Sequence, residues 1–398
     1  MNASQFYDNN LKECGLVTGV PCSFFKGFIN ESMVRNAEGK VKYVAASNEG
    51  QATALAVGYN MVRKHKDGKK ALVLMQNSGV GNTINALTSL AYVFREPITM
   101  MVSQRGGEND EPQHELMGNI DEDMLKLCEC DVHPLENAEE VGMFNYMPGG
   151  NHSNAFMVKK GTFENTVKNV PGLQLHDGFD ALPNLTQETV KSRIATLEEL
   201  YQQIEWYAGL LGKKFVIIST TGMTGREMWS IHDNEHQIYM VGSMGMASSF
   251  GLGMAIADPE LLVFVIDGDG ALQMQMGAMP TIGFENYPNL IHIMLDNGTY
   301  DTTGGQAVEG VVKWARVANS CGYNLSINAN ATKAFEYIAN ALDPYEDKLA
   351  SNGTTFIHIK VAPGSEKVGR PTLKPWEVKE RFLEYYSTND SNNDSNND

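Results

Sequence analysis

The chain has 398 residues, 42% hydrophobic and 20% charged, the composition of an ordinary soluble globular protein. By length it holds about two or three domains, each large enough to bury its own core. Its 31 basic and 48 acidic residues give a net charge of −17, which repels a phosphate backbone and an anionic bilayer and argues against nucleic acid and membrane partners. An anionic small molecule remains open, because a site needs only local positive charge or a metal.

The N-terminal MNASQFYDNN has neither a basic start nor an apolar core. No run of about 18 apolar residues follows anywhere, so a cytoplasmic soluble protein is expected. Short apolar runs then alternate with longer segments of helical period. KYVAAS (42–47), KALVLMQ (70–76), PITMMVS (97–103) and AFMVKKG (155–161) read as strands. EGQATALAVGYNMVRKH and GNTINALTSLAYVF, between the first three, read as helices. Such alternation predicts a mostly parallel sheet covered on both faces.

A break at NVPGLQLHDGFDALPNLTQ precedes one long predicted helix, ETVKSRIATLEELYQQIEWYAGLLG. The alternation restarts with KFVIIST, QIYMVGS, LLVFVIDGDG, NLIHIMLDN and TFIHIKV. The expectation is therefore an α/β protein of two doubly wound parallel-sheet domains, 1–168 and 191–386, joined by a linker over 169–190. The polar repeat STNDSNNDSNND puts a disordered tail over 387–398. MQNSGVGNTINALTSLAY and MVGSMGMASSFGLGMAIA echo each other as strand, Ser/Gly turn and small-residue helix, a weak sign of duplication. Cys14, Cys22, Cys128, Cys130 and Cys321 lack framework or zinc spacing and read as reduced structural thiols.

FVIDGDGALQMQMGAM is the informative stretch, because an acidic glycine-rich turn ends a strand that reads as buried. An EF-hand begun at Asp267 fails at Ala271, Leu272 and Ala278, and a dinucleotide fingerprint begun at Gly268 fails at Gln273. The segment reads instead as one βαβ unit, its helix kinked or ended by Pro280, that places Asp269 and Asn297 at the carboxyl ends of parallel strands. On geometry alone these are equally two unrelated turns or hard oxygen ligands for a magnesium diphosphate, with the amides after Gly270 free to hold phosphate.

GDG followed by an Asn beyond an apolar strand resembles the signature of thiamine diphosphate-dependent enzymes, a likeness extending over most of the chain. It implies a pyrimidine-binding domain followed by a diphosphate-binding domain, with no middle domain, and thiamine diphosphate with Mg2+ as cofactors. Carried over, the metal ligands are Asp269, Asn297 and the carbonyl of Thr299, and Gly268, Gly270 and Ala271 hold the diphosphate. The family usually has Asn where Asp296 stands, which leaves the ligating position intact. SNEGQA supplies the glutamate, Glu49, that hydrogen-bonds the aminopyrimidine ring. VGSMGMASS supplies the Gly242 carbonyl for the 4'-amino group and Met244 between the cofactor rings, and STTGMTGRE supplies Thr221 and Gly222.

GVPCSFF, SNEGQA, QNSGVGN, DEPQH and LDNGTYDTTGGQ, in a two-domain order, are similar to the phosphonopyruvate decarboxylases within that family. The resemblance implies decarboxylation of 3-phosphonopyruvate to phosphonoacetaldehyde, in phosphonate biosynthesis. His114 becomes a candidate for proton handling or substrate binding. Ser23, Asn77, Ser78, Arg105, Gln113 and Thr303, in loops, become candidates to hold the substrate. A homo-oligomer with active sites between subunits is implied, Glu49 of one chain meeting the GDG domain of another. Sulfopyruvate decarboxylation and carboligation of a small 2-keto acid are the alternatives. A non-catalytic subunit should lack Glu49 or a metal ligand, and a dehydrogenase should carry an intact GxGxxG.

Overall fold

A computed structural model describes residues 1–107, 110–135, 143–145, 151–167, 170–171, 190–308, 310, 312–340 and 353–387. The chain divides into two compact units, Met1–Gln174 and Leu175–Asp398. Nearly all of the expected linker and all of the expected tail but Ser387 lie outside the described residues.

The first unit is built on six strands, β1 Cys14–Gly19, β2 Lys42–Ala45, β3 Lys70–Gln76, β4 Thr99–Ser103, β5 Cys130–Pro134 and β6 Ser153–Val158. They form one parallel sheet in the order β2-β1-β3-β4-β6-β5. Every residue of β1, β4 and β6 is buried, which is why none of the three alternates apolar with charged residues. One side of the core gathers Phe6, Tyr7, Phe25, Phe28, Phe156 and Phe163, with Tyr7 stacked on Phe28 at a centroid distance of 4.7 Å.

The second unit contributes β7 Lys191–Ser192, β8 Phe215–Ser219, β9 Gln237–Tyr239, β10 Leu262–Gly268, β11 Leu290–Asp296, β12 Thr299–Tyr300, β13 Gln306–Ala307, β14 Leu325–Asn328 and β15 Thr355–Ala362. Its main sheet runs β14-β15-β11-β10-β8-β9, again parallel, with β7 added to β15, while β12 and β13 pair as a small antiparallel hairpin. Leaving β7 and the hairpin aside, both sheets have the same order, second-first-third-fourth-sixth-fifth. The two echoing segments are not equivalent within it, however. MQNSGVG follows the third strand of its sheet, whereas MVGSMG follows the second.

That shared order has one switch point per sheet, where the chain leaves the first strand in one direction and the third in the other. Ligands of open α/β sheets bind at the carboxyl ends of the strands flanking such a point. In the first unit the flanking strands are β1 and β3, and in the second they are β8 and β10.

Several local expectations need correction. The expected strand 155–161 lies instead at Ser153–Val158, because Lys159 and Lys160 fall beyond the buried run. The helix expected over 81–94 runs from Val80 to Ala86 and passes into a wider π turn over Leu87–Ala91. Pro280 neither kinks nor ends a helix. The break falls ahead of it, between Asp269–Met274 and Ala278–Glu285, and Pro280 sits in the first turn of the second helix, where an amide hydrogen has no intrahelical partner.

Helix Glu49–Lys66 shows how local chemistry sets an element. The Asn48 side chain accepts the Gln51 N–H at 3.0 Å, Glu49 faces the positive end, and Arg63, Lys64, His65 and Lys66 occupy the last turn. Asn48→Ala is expected to cost about 0.5–2 kcal/mol, measured as an earlier urea unfolding midpoint. An unchanged midpoint would remove the cap from the account.

Candidate active site

β10 and β11 are in register, with Asp267 opposite Met294 and Gly268 opposite Leu295. The chain therefore leaves the sheet at Asp269 and Asp296 side by side, and Asn297 follows at once. Asp269 ties the two loops together: its Oδ1 accepts the Gly270 N–H at 2.8 Å and its Oδ2 the Gly298 N–H at 2.7 Å. A cleft of about 280 Å³ opens at this switch point. Thr221, Gly222, Met244, Gly268, Asp269, Gly270, Ala271, Asn297 and Thr299 all line it, so most of the residues named from the sequence for the diphosphate end share one surface.

Four carboxylates crowd this edge, and the basic groups are distributed unequally among them. Asp301 Oδ2 takes Arg193 Nη1 at 2.7 Å, Asp296 Oδ2 takes His358 Nε2 at 2.9 Å, and Asp267 Oδ2 faces His292 Nε2 at 3.6 Å. Asp269 alone has no basic side chain within ion-pair distance among the described residues. Burial pushes its carboxyl above the usual range, and the neighbouring Asp296 adds to that. Asp296 is held below the usual range, chiefly by His358. A buried carboxylate lacking a cation, an amide oxygen and a main-chain carbonyl form a hard oxygen donor set of the kind magnesium prefers. The opposite wall offers the Thr221 and Thr224 hydroxyls, Arg226 and the first amides of helix Met223–Ile231, which are donors suited to phosphate oxygens. The residues present thus fit a metal diphosphate.

The turn after β9 belongs to the same edge. Ser243 has a left-handed φ of +50°, rare outside glycine. Two residues on, a Cβ at Gly245 would lie 2.6 Å from the Ala271 carbonyl oxygen, so this turn packs directly against the helix that follows GDG. Met244 is half-buried at the cleft, and Gly242 stands two residues before it without lining it. Thr303 also lies off the cleft lining. It is exposed in the turn of the hairpin, its hydroxyl bonded to the Tyr300 carbonyl at 3.2 Å and Gln306 Oε1 at 2.7 Å.

The remaining candidates gather at the carboxyl edge of the first sheet. Glu49 is buried and its Oε2 accepts Asn82 Nδ2 at 2.9 Å. Gly79 makes that placement possible, since a Cβ there would overlap Glu49 Oε1. The crevice between β1 and β3 carries Cys22, whose Sγ is 3.5 Å from Gln76 Oε1 and 3.2 Å from Ser103 Oγ. Ser23 and Ser78 are exposed beside it, and Gln76 Nε2 donates to Ser78 Oγ at 2.5 Å. Asn77 is fully buried, its Nδ2 donating to the Arg105 carbonyl at 2.8 Å and Asp121 Oδ2 at 2.9 Å, while its Oδ1 has no partner among the described residues.

Arg105 is less available than its sequence suggests. Its guanidinium grips both oxygens of Asp110, at 3.0 and 2.6 Å, reaches Glu111 at 3.2 Å, and lies over the Phe24 ring. That clamp holds the Asp110 carboxyl far below its usual range. Gln113 is exposed and donates to Glu111. His114 is buried at the start of helix Glu115–Leu127, its Nε2 3.4 Å from Glu111 and its Nδ1 without a partner among the described residues, so this histidine faces inward.

Sequence reasoning missed Asn82, Gly79, Arg193, Glu227 and Asp301. Asp301 could have been noticed as an acid four residues past Asn297; Arg193 gave no signal, as a basic residue near a helix start is unremarkable.

Over residues 218–359 the chain matches the family described as thiamine pyrophosphate enzyme, C-terminal TPP binding domain. It is 33% identical over 390 residues to a phosphonopyruvate decarboxylase of Streptomyces viridochromogenes, covering 94% of this chain and 91% of the relative. It is 38% identical to the sulfopyruvate decarboxylase subunit beta of Methanothermobacter thermautotrophicus, over 46% of this chain and 94% of that subunit. Among solved structures, benzoylformate decarboxylase from Polynucleobacter necessarius has the same fold, with a TM-score of 0.65, 12% identity, and coverage of 93% of this chain and 100% of the other.

Gly79→Ala is expected to force Glu49 and its Asn82 partner apart and to cost about 1–3 kcal/mol as an overpacked site. Chemical unfolding measures it, and a neutral result would mean that Glu49 does not rest against Gly79.

Proposed function

Because the chain belongs to the phosphonopyruvate decarboxylase family of thiamine diphosphate-dependent enzymes, we propose that it converts 3-phosphonopyruvate to phosphonoacetaldehyde and carbon dioxide, in phosphonate biosynthesis. The observation that carries the chemistry is the cleft between β8 and β10, where a carboxylate without a basic partner meets Asn297 and Thr299 opposite a wall of hydroxyl and amide donors. Magnesium is the cation such oxygen donors favour.

Thiamine diphosphate, when bound, supplies the electron sink for release of carbon dioxide. The chain's residues position and protonate. Asp269, Asn297 and the Thr299 carbonyl would hold the cation. Thr221, Gly222 and the Gly268–Ala271 turn would hold the diphosphate. The Gly242 carbonyl would accept from the 4'-amino group, Met244 would pack against the cofactor rings, and Glu49 would hold a proton at the aminopyrimidine ring nitrogen. His114, buried with an Nδ1 that has no partner among the described residues, would handle the proton that the product gains at carbon or would bind the substrate. Ser23, Asn77, Ser78 and Gln113 offer hydroxyl and amide donors for the phosphonate, and Arg105 offers charge only so far as it leaves Asp110. Thr303 joins them only if its hairpin bonds are given up.

We place the enzyme in the cytoplasm, a reading supported by five free cysteines, four of them buried. Among the described residues no helix is long and apolar enough to cross a membrane. A homo-oligomer with the active site between subunits is supported by apolar side chains exposed beside the cleft, Val241 at 52% in the turn after β9 and Met274 at 59% at the end of helix Asp269–Met274. A monomer by sedimentation would count against it.

Sulfopyruvate is the second reading, favoured by the similarity to sulfopyruvate decarboxylase subunits. Decarboxylation of phosphonopyruvate, sulfopyruvate and pyruvate, with and without thiamine diphosphate and magnesium, separates them. Phosphonopyruvate should be turned over fastest, and only with both additions. Faster sulfopyruvate turnover selects the second reading, a product longer than the substrate marks a carboligase, and no cofactor-dependent turnover sinks the proposal.

Glu49→Gln should bind thiamine diphosphate as the parent does yet lose about 100-fold or more in kcat, the range for removal of a proton-transfer group. Cofactor titration and steady-state kinetics measure the two effects, and undiminished kcat would take Glu49 out of the mechanism.

A further inference from the structure

Arg193 opens helix Arg193–Leu211, yet its side chain is buried. Nε and Nη2 donate to the two oxygens of Glu227 at 2.8 and 3.1 Å, and Nη1 donates to Asp301 Oδ2 at 2.7 Å. Glu227 is held from its other side by the Glu366 N–H at 3.1 Å. Burial opposes the charges of both Arg193 and Asp301, and their mutual bonds outweigh it: Arg193 is held above its ordinary pKa and Asp301 below.

Asp301 passes this order to the cleft. Its Oδ2 also accepts Asn297 Nδ2 at 2.8 Å, and its Oδ1 accepts Thr299 Oγ1 at 2.8 Å. The amide of an asparagine is nearly symmetric in shape, so a half-turn swaps an acceptor for a donor at one point in space. A carboxylate can only accept, so it fixes Nδ2 on its own side and leaves Oδ1 as the other end, where it takes the Thr299 N–H at 3.1 Å. A cation ligand must present oxygen, not nitrogen hydrogens. The orientation of Asn297 is thus set by Asp301, and the place of Asp301 by Arg193.

We propose that Arg193 is a positioning residue which, through Asp301, orients Asn297 and Thr299 and thereby sets the affinity of the site for its divalent cation. This rests on the reading of Asp269, Asn297 and Thr299 as the cation ligands. Charge alone predicts the opposite. Arg193 lines the cleft, so removing its positive charge should tighten a cation there, whereas loss of positioning should weaken it.

The experiment is Mn2+ binding to the full chain with thiamine diphosphate present, followed by electron paramagnetic resonance, which needs no turnover. Arg193→Gln is expected to weaken Mn2+ by about 10–100-fold, the usual effect of losing a group that orients a metal ligand. Arg193→Lys should also weaken it, because an ammonium keeps the charge but cannot reproduce the fork across Glu227 and Asp301. Mn2+ binding by Arg193→Gln that equals or exceeds the parent overturns the proposal. If circular dichroism finds that variant unfolded, Arg193→Lys decides, and parent-like affinity overturns the proposal. A parent that binds no Mn2+ with thiamine diphosphate overturns the cation reading and the proposal with it; a parent that binds alongside unaltered variants overturns the proposal alone.

Discussion

The bond from the Gly298 amide to the Asp269 carboxylate, 2.7 Å long, joins the loop after β11 to the turn after β10, and the rest of the cleft depends on it. The in-register pairing of these strands brings Asp269 and Asp296 to adjacent strand ends, where two like charges repel and burial penalises both. The fold answers by treating them differently. Asp296 receives His358, itself held by Asn328 Oδ1 at 2.6 Å, whereas Asp269 receives only amide hydrogens. The carboxylate left without a basic partner among the described residues, Asp269, is thereby the one that faces the cleft. A cation placed there would relieve repulsion that folding has already accepted.

The common strand order of the two sheets makes their edges comparable position by position. The loop after the second strand holds Glu49 in one unit and Met244 in the other. The loop after the third holds the Asn77–Gly79 turn in one and the Gly268–Gly270 turn in the other. Both third-strand loops accommodate a carboxylate, Glu49 beside Gly79 and Asp269 within its own turn. Under the proposed function, topologically equivalent edges would carry the two halves of the chemistry, one for proton transfer and one for the metal diphosphate. Each half is assembled by its own sheet.

What could be read from the sequence follows from how strongly each element is buried. β3, β10 and β11 are nearly continuous apolar runs because both faces are covered, and they were legible as strands. β1, with glycine at its second and last positions, and the edge strands β5 and β14, part-polar and short, gave no such run. Asp269 and Asn297 were legible because one βαβ unit fixes their spacing. Arg105 was legible as a loop cation but not as one already held by Asp110, since an ion pair leaves no periodic trace. The same holds for Arg193 and Asp301, 108 positions apart.

Stability is a poor explanation for that last pair. A buried ion pair recovers in Coulomb energy little more than it loses in desolvation, and apolar side chains of similar volume commonly serve a core as well or better. Arg193 with Glu227 and Asp301 occupies space that leucine and methionine could fill. An apolar cluster, however, could not tell the two ends of an amide apart. A fixed acceptor facing Nδ2 does so, as the Thr299 N–H does from the Oδ1 end, and a fixed acceptor that is a buried carboxylate needs a cation of its own so that it does not compete for the one in the cleft. Arginine meets both needs, because its planar fork reaches two carboxylates at once and its charge is permanent. On the proposed cation site, the ion pair is then best understood as insulation: it keeps Asp301 occupied, so that Asp269 would be the carboxylate left to the metal.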